Sequence, residues 1–122
     1  MSKVILTVDD SRTMRDMLKL ALVDAGYGVT QAVDGMHGLE VLHANEMPHV
    51  IVTDINMPKL DGFGFIEAVR KEARYRGIPI LVLTTESDAA KKARARQAGA
   101  TGWIVKPFDP AKLVEAIRRV AA

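Results

Sequence analysis

Five short apolar runs, each followed by a segment with helical spacing, constrain this chain more than any other feature. Three runs rich in β-branched residues lie at 4–6, 50–52 and 80–83, and two weaker runs lie at 28–32 and 103–105. Because the runs are continuous and do not alternate with polar residues, they are typical of strands buried on both faces of a sheet. The sequence therefore predicts a strand followed by a helix, repeated five times.

The helices are predicted from apolar residues that recur at helical spacing and from residues that begin or end a helix. Ser11 favours the start of the first helix, and Gly26 and Gly99 lie where the first and fourth helices are expected to end. Asp109 and Pro110 favour the start of the fifth helix. The second, third and fourth helices are predicted over 34–43, 61–74 and 88–98. The predicted core faces are Met14, Met17, Leu18, Ala21, Leu22 and Ala25 in the first helix, and Leu113, Ala116, Ile117, Val120 and Ala121 in the fifth.

Strands that alternate with helices require a parallel sheet covered by helices on both faces, with right-handed crossovers. For five strands the common doubly wound, flavodoxin-like arrangement has the strand order 2-1-3-4-5. Residues 1–122 are therefore predicted to form a single α/β domain. In this arrangement the carboxyl ends of the strands border the crevice in which ligands bind.

Composition excludes several classes of function. The chain has no cysteine, which removes disulfides, thiolate metal sites and thiol nucleophiles and fits a reducing cytoplasm. Its apolar N-terminal run is too short for a signal peptide or a membrane span, so we expect a cytoplasmic protein without membrane insertion. Residues 1–61 carry a net charge of −4 and residues 62–122 carry +6, so the basic charge is concentrated in one half.

Four of the five predicted strands deliver polar side chains to one rim. Asp9 and Asp10 follow the first strand, Asp54 the third, Thr84 the fourth and Lys106 the fifth. Carboxylates that lie close together repel one another, and a bound divalent cation would relieve this repulsion. A site made only of oxygen ligands, with room for water and a phosphate oxygen, favours Mg²⁺. An aspartate beside Mg²⁺ can accept a phosphoryl group whose oxygens a lysine and a hydroxyl hold. The alternative is a structural ion pair of Lys106 with the acids, which leaves Thr84 without a role.

Four spaced motifs at these strand ends resemble the receiver domain of two-component response regulators, in particular the stand-alone chemotaxis regulators of the CheY type. The motifs are VDD at 8–10, DINMPKLDG at 54–62, TTE at 84–86 and KPF at 106–108. The resemblance extends over essentially the whole chain.

The resemblance implies that Asp54 accepts a phosphoryl group from a phosphohistidine of a CheA-like sensor histidine kinase. Asp10, Asp54 and the main-chain carbonyl of Asn56 are implied to bind Mg²⁺ directly, and Asp9 mainly through water. The protein is then a signalling switch and not an enzyme in the usual classification, although it promotes its own phosphorylation and dephosphorylation.

The resemblance also implies which residues respond to phosphorylation of Asp54. Lys106 is implied to pair with the phosphoryl oxygens, and the Thr84 hydroxyl to move towards one of them. The bond between Lys106 and Pro107 is expected to be cis, since proline lowers the penalty of that isomer to about 1 kcal/mol. Asn56 and Glu86 are implied to tune dephosphorylation.

Two residues depart from the pattern of the family. Trp103 stands where Tyr or Phe is usual and where inward rotation accompanies activation, so we expect altered switching. A tryptophan that only covers the neighbouring helix is the alternative. Thr85 stands where Ala or Gly is usual, and its bulk is expected to slow small phosphodonors more than the kinase.

The output surface is expected on the fourth helix, fifth strand and fifth helix. Its candidate residues are Lys91, Lys92, Trp103 and Lys112, which suit an acidic protein partner. The implied partners are a flagellar motor switch protein or a phosphatase, and the alternatives are a phosphate sink that drains a shared kinase or a pathway outside chemotaxis. Nucleic acid is disfavoured because no recognition motif accompanies the basic run at 91–96, which also leaves a merely solvated helix face open. A monomer is expected.

Two other functions use similar residues or the same fold. A haloacid-dehalogenase-like phosphatase needs Asp-x-Asp after the first strand, but Asp9 and Asp10 are adjacent. A flavin module needs a hydroxyl- and glycine-rich loop there. Met57 is assigned to the site loop, and structural roles are expected for His37, His43 and His49.

Overall fold

A computed structural model describes residues 3–121, which form five strands and five α-helices in strict alternation. The strands are β1 (Val4–Val8), β2 (Gly28–Ala32), β3 (Val50–Thr53), β4 (Ile80–Thr84) and β5 (Gly102–Val105). The helices are α1 (Arg12–Asp24), α2 (Gly35–Ala44), α3 (Gly62–Lys71), α4 (Ala89–Ala98) and α5 (Pro110–Ala121). Within this range no helix has the length and apolar character that crossing a bilayer requires.

All strand pairs are parallel and the sheet order is β2-β1-β3-β4-β5, which confirms the predicted fold. The register aligns the carboxyl ends of the strands. Val8 pairs with Ala32 on one side and with Thr53 on the other, and Thr84 pairs with Val105. The residues that follow these strands therefore meet at one rim of the sheet.

The core has two layers, one on each face of the sheet. On one face, strand residues such as Leu6 and Val82 pack with Phe65 of α3 and Leu42 of α2. On the other face, strand residues such as Val52 pack against the two helices α1 and α5. Alternate residues of one strand enter different layers, which is the reason the central strands β1, β3 and β4 are almost continuously apolar.

Most predicted helix ends are confirmed. The Ser11 hydroxyl accepts a hydrogen bond from the Met14 N–H at 3.2 Å, and the Asp109 carboxylate accepts one from Ala111 at 2.9 Å. Gly99 ends α4 in the left-handed region with φ 118°, where a side chain is disfavoured.

The third helix ends earlier than the predicted 61–74, at Lys71. Glu72 is extended, with φ −89° and ψ 116°, and a separate 3₁₀ turn follows at Ala73–Tyr75. Arg70 stabilises this break, because its guanidinium donates to the carbonyls of Tyr75 and Arg76. A turn held by a side chain from the preceding helix leaves no periodic signal in the sequence.

The predicted core face of the first helix is wrong at Met17, which is 47% exposed. Leu18 and Leu22 are buried one turn apart and define the stripe that faces the sheet, with Met14 partly buried beside them. Met17 lies to one side of that stripe.

The histidines serve the backbone or a neighbouring side chain. His37 Nδ1 accepts from the Val33 N–H and His49 Nδ1 accepts from the Val4 N–H, each at 3.0 Å. His43 lies 2.7 Å from a Glu72 carboxylate oxygen.

Candidate functional site

Three carboxylates meet at the carboxyl ends of β1 and β3. Asp9, Asp10 and Asp54 each offer a carboxylate oxygen within 4.8 Å of the others. Asp9 and Asp54 are buried, at 1% and 8% exposure, whereas Asp10 faces solvent. The level strand ends bring these side chains together, as the sequence predicts.

Lys106 lies between two of the acids. Its Nζ donates to Asp9 Oδ2 at 2.8 Å and to Asp54 Oδ2 at 2.9 Å. Its main-chain N–H donates to the Thr84 carbonyl at 2.7 Å, which fixes the end of β5 to the end of β4. The ion pair considered from the sequence is therefore present, but one ammonium faces three carboxylates.

The main chain occupies one oxygen of each buried acid. Asp9 Oδ1 accepts from the Ser11 N–H at 2.9 Å, and Asp54 Oδ1 accepts from the Ile55 N–H at 2.7 Å. These bonds orient both carboxylates towards Lys106 and Asp10. The remaining negative charge and the all-oxygen donors fit a hard divalent cation such as Mg²⁺.

Burial controls the electrostatics of the rim. Burial raises the pKa of Asp9, and the hydrogen bonds from Lys106 and Ser11 offset only part of that rise. Burial acts to lower the pKa of Lys106, but its bonds and charge interactions with Asp9 and Asp54 outweigh burial, so this pKa is raised. The lysine is therefore firmly charged, and the folded protein disfavours the ionised form of Asp9.

Thr84 and Trp103 are joined through Glu86. The fully buried Thr84 accepts a hydrogen bond at Oγ1 from the Glu86 N–H at 3.3 Å. The Glu86 carbonyl accepts one from Trp103 Nε1 at 3.0 Å. The Trp103 ring is half-buried against the core layer of α3 and borders a groove with Lys92 and Arg96 of α4. The geometry thus links the rim to β5.

A second contact ties two loops above the rim. Asn56 Nδ2 donates to Glu86 Oε1 at 3.2 Å, and Lys91 Nζ lies 3.0 Å from the same oxygen. The hydrogen bond from Lys91 is the main reason that the pKa of Glu86 lies below its usual value. The sequence indicates Asn56 and Glu86 separately, but nothing in it shows that they touch.

The loop after β3 approaches α3 closely. A Cβ on Gly62 would collide with the carbonyl oxygen of Asp54, so only glycine lets the helix begin here. Met57 lies in the core beneath this loop, and Lys59 adopts a left-handed φ of 67°. The bond between Lys106 and Pro107 is cis.

One neighbour of the site has no sequence signal. Arg15 of α1 donates from Nη1 to the Asp9 carbonyl at 2.8 Å. Its carbonyl in turn accepts from the Gln31 amide at 3.2 Å. Arg15 therefore helps to hold the β1 end in place. Thr85, by contrast, is exposed.

The candidate output residues are only partly brought together. Lys92 and Trp103 border one groove of about 80 Å³. Lys112 borders a separate groove of about 280 Å³ between β5 and α5. Lys91 is in its ion pair with Glu86. Arg94 of the same basic run turns to the other side of α4, with its guanidinium carbon 4.1 Å from the centre of the Phe63 ring.

Comparison with known proteins relates this arrangement to a family. Chemotaxis protein CheY1 of Helicobacter pylori is 41% identical over 117 residues, covering 95% of this chain and 94% of that protein. A structure of chemotaxis protein CheY4 of Vibrio cholerae superposes with a TM-score of 0.93 at 43% identity, covering 98% and 99% of the two chains.

A third relative carries a metal. The receiver domain of sensor histidine kinase PA1611 from Pseudomonas aeruginosa PAO1 was solved with a magnesium ion coordinated in its active-site cleft. It superposes with a TM-score of 0.91 at 26% identity, covering 99% of this chain and 98% of that one. Residues 5–118 match the response regulator receiver domain family. With the rim of acids, threonine and lysine in place, this chain belongs to the response regulator receiver domain family.

Proposed function

We propose that this protein is a CheY-type response regulator in which Asp54 accepts a phosphoryl group from a sensor histidine kinase. The observation that carries the proposal is the position of Lys106, whose ammonium contacts Asp54 and Asp9 at the rim that also holds Asp10. In the transfer, the bond between phosphorus and the kinase histidine nitrogen breaks and a bond from an Asp54 oxygen to phosphorus forms.

Asp9, Asp10, Asp54 and the Asn56 carbonyl are the residues that would hold Mg²⁺. When bound, the metal supplies positive charge for the oxygens of the transferred group. The chain itself contributes Lys106, which exchanges a carboxylate contact for a phosphoryl oxygen once Asp54 is modified. A lysine already aligned by two buried acids needs little reorganisation to do so.

Thr84 and Trp103 carry the signal outward. A Thr84 hydroxyl that turns to a phosphoryl oxygen weakens the bond it accepts from the Glu86 N–H. The Glu86 carbonyl, which holds the indole of Trp103, is then free to shift. Phosphorylation thereby changes the populations of two arrangements of the loop between β4 and α4.

The output is protein binding at the face of α4, β5 and α5, through Lys92, Trp103 and Lys112. The relatives that are chemotaxis proteins favour a role in chemotaxis. The partner that the resemblance to CheY-type regulators implies is a protein of the flagellar motor switch. A phosphate sink would show the same phosphorylation without a change in affinity at this face. Binding assays with the triple variant Lys92→Glu, Trp103→Ala, Lys112→Glu separate the two roles.

The first test is phosphorylation of the wild type and of Asp54→Asn with a histidine kinase and Mg²⁺. We expect the label in the wild type and none in the variant. Full labelling of the variant would refute Asp54 as the acceptor. Asp61→Asn is the matched control, because Asp61 is exposed and caps α3.

The second test uses the single tryptophan as a reporter. Adding Mg²⁺ and then beryllium fluoride, a phosphoryl mimic, should change Trp103 fluorescence saturably in the wild type. In Asp54→Asn the response to the mimic should be lost. An unchanged signal in the wild type, although phosphorylation is measured directly, would contradict the coupling through Glu86.

A further inference from the structure

A second concentration of charge lies at the amino ends of the strands, at the opposite end of the sheet from Asp54. A cavity of about 460 Å³ opens there between the C-terminal halves of α3 and α4. Four cations and one acid border it: Arg70, Lys71, Arg76, Arg94 and Glu67. The phosphorylation site uses none of these residues.

Arg70 is a fixed and partly buried cation. Its Nε and Nη2 donate to the Gly99 carbonyl at 3.1 and 2.9 Å, and its Nη1 donates to the carbonyls of Tyr75 and Arg76 at 2.9 and 3.2 Å. Carbonyls satisfy the hydrogen-bonding groups but do not cancel the charge. Burial lowers the pKa of Arg70, and no carboxylate within residues 3–121 forms an ion pair with it. Arg70 is thus a partly buried charge whose hydrogen-bond partners are neutral carbonyls.

The other cations are also oriented and lack carboxylate partners. Arg76 donates from Nε to the Arg70 carbonyl at 3.2 Å, and the Arg94 guanidinium stacks on Phe63. None of the four cations forms an ion pair within residues 3–121, and neither do other cations such as Lys92 and Arg96, so the four are distinguished by bordering one cavity. Positive charge that converges on one concavity, with a single carboxylate at its border, favours an anion there.

We propose that this cavity binds a small polyanion that carries linked phosphate groups. The planar guanidinium matches phosphate oxygens in geometry, and Arg76 and Arg94 are the donors at this site. Arg70, whose N–H groups already donate to carbonyls, contributes its positive charge. The cavity is largely open to solvent and has more room than one phosphate needs. Phe63 is buried beneath Arg94 and offers no face to a nucleobase, so the phosphate chain is the part recognised.

The test is calorimetric titration of the full chain with pyrophosphate, ADP and AMP in Mg²⁺-free buffer. We expect saturable binding of pyrophosphate and ADP with similar Kd and weaker binding of AMP. The double variant Arg76→Gln, Arg94→Gln should bind pyrophosphate at least about tenfold more weakly, since it loses two charge-assisted hydrogen-bond donors. The control Arg96→Gln, Arg118→Gln removes the same charge from exposed residues outside the cavity and should keep the wild-type Kd.

Equal weakening in both double variants would overturn the proposal, because general electrostatic attraction would then explain the binding. A titration in which an acidic peptide binds at the cavity and no phosphate compound does would show that the ligand class is wrong. ADP binding without pyrophosphate binding would refute recognition of the phosphate chain.

Amide NMR shifts of the wild type locate the ligand without any substitution. Saturating pyrophosphate should shift the signals of Lys71 and Arg76 and of Gln97, which also borders the cavity. Shifts confined to Asp10 and Lys106 would place the anion at the phosphorylation site and refute the proposal.

Discussion

Asp9 illustrates how a single residue can be placed for a ligand at the expense of stability. Its carboxylate is 1% exposed and shares one ammonium with Asp54. Burial raises its pKa above the model-peptide value of 3.8. The folded state therefore disfavours the ionised carboxylate. The contribution of protonated Asp9 to the free energy of unfolding is fully present below pH 3.8 and is lost as the pH rises through the raised pKa of the folded state.

Replacement of Asp9 by asparagine should therefore stabilise the protein in the absence of metal at pH 7. We expect a higher Tm for Asp9→Asn than for the wild type, and a difference that disappears at about pH 3, where the carboxyl is protonated in both states. Thermal unfolding in metal-free buffer measures both values. Asp10→Asn is the matched control, because its exposed carboxylate should give a smaller change. A lower Tm for Asp9→Asn at pH 7 would contradict the argument.

Replacement of Lys106, in contrast to replacement of Asp9, should destabilise the protein. Lys106→Met removes the cation between two buried carboxylates and should lower the free energy of unfolding by about 3 kcal/mol at pH 7. The exposed Lys112→Met should change it by less than about 0.5 kcal/mol. Urea unfolding compares the two variants. If the loss at Lys106 persists when Asp9 and Asp54 are both asparagine, packing of the lysine stem and not charge is responsible.

The proximity of Asp9, Asp10, Asp54 and Lys106 could be predicted from the sequence. Each follows a strand, and a parallel sheet brings the carboxyl ends of its strands to one rim. The contact of Asn56 with Glu86 joins residues that are 30 positions apart in two irregular loops. Loop side chains have no period, so this pairing had no sequence signal.

At the scale of elements, the packing of α2 on α3 depends on one glycine. Gly38 lies in the interior of α2, where alanine is the better helix former by about 1 kcal/mol. A Cβ at this position would lie 2.7 Å from Cε1 of Phe65, a ring that is completely buried. Because the ring is enclosed, it has little room to move.

Gly38→Ala should therefore lower the free energy of unfolding by about 1–2 kcal/mol, since overpacking outweighs the gain in helix propensity. Gly77→Ala is the control, because nothing lies within 4 Å of a Cβ there. The double variant Gly38→Ala, Phe65→Leu tests the cause and should recover part of the loss. Additive effects in urea unfolding would instead point to the backbone of α2.

The sequence assigns the buried and exposed faces of a helix least well when the helix has no apolar stripe. In α4 only Ala95 is fully buried, so the sequence alone does not assign its faces. The structure divides the basic run, with Arg94 towards α3 and Lys92 towards β5. In α1 and α5 pairs of buried residues one turn apart mark the face towards the sheet, and Met17 is the misplaced residue of the two predicted core faces.

At the scale of the whole molecule, the fold separates charge of opposite sign. The acidic half of the chain supplies the three carboxylates of the rim, and the basic half supplies the four cations at the other end of the sheet. The sequence predicts the strand order because five strands that alternate with helices commonly adopt it, but it does not predict how helix faces divide the cations. Folding therefore concentrates the two charges at opposite ends of the sheet.

Mg²⁺ should stabilise the whole domain by binding at the rim. When its free concentration is about 100 times its Kd, a ligand that binds only the folded state raises the free energy of unfolding by about 2.7 kcal/mol. We expect this gain for the wild type and for the exposed control Asp24→Asn, and its loss for Asp10→Asn. Urea unfolding with and without Mg²⁺ measures the gain. The same gain in Asp10→Asn would place the metal elsewhere.

The position of β5 has one more consequence, for self-association. β2 and β5 are the two edges of the sheet, and an exposed edge is a template on which a strand of another chain can add. β5 has only four residues, and Pro107, two positions beyond its end, has no N–H to offer. The edge strand that carries Trp103 thus offers a foreign strand little backbone to pair with, and we expect it to resist strand addition from another chain.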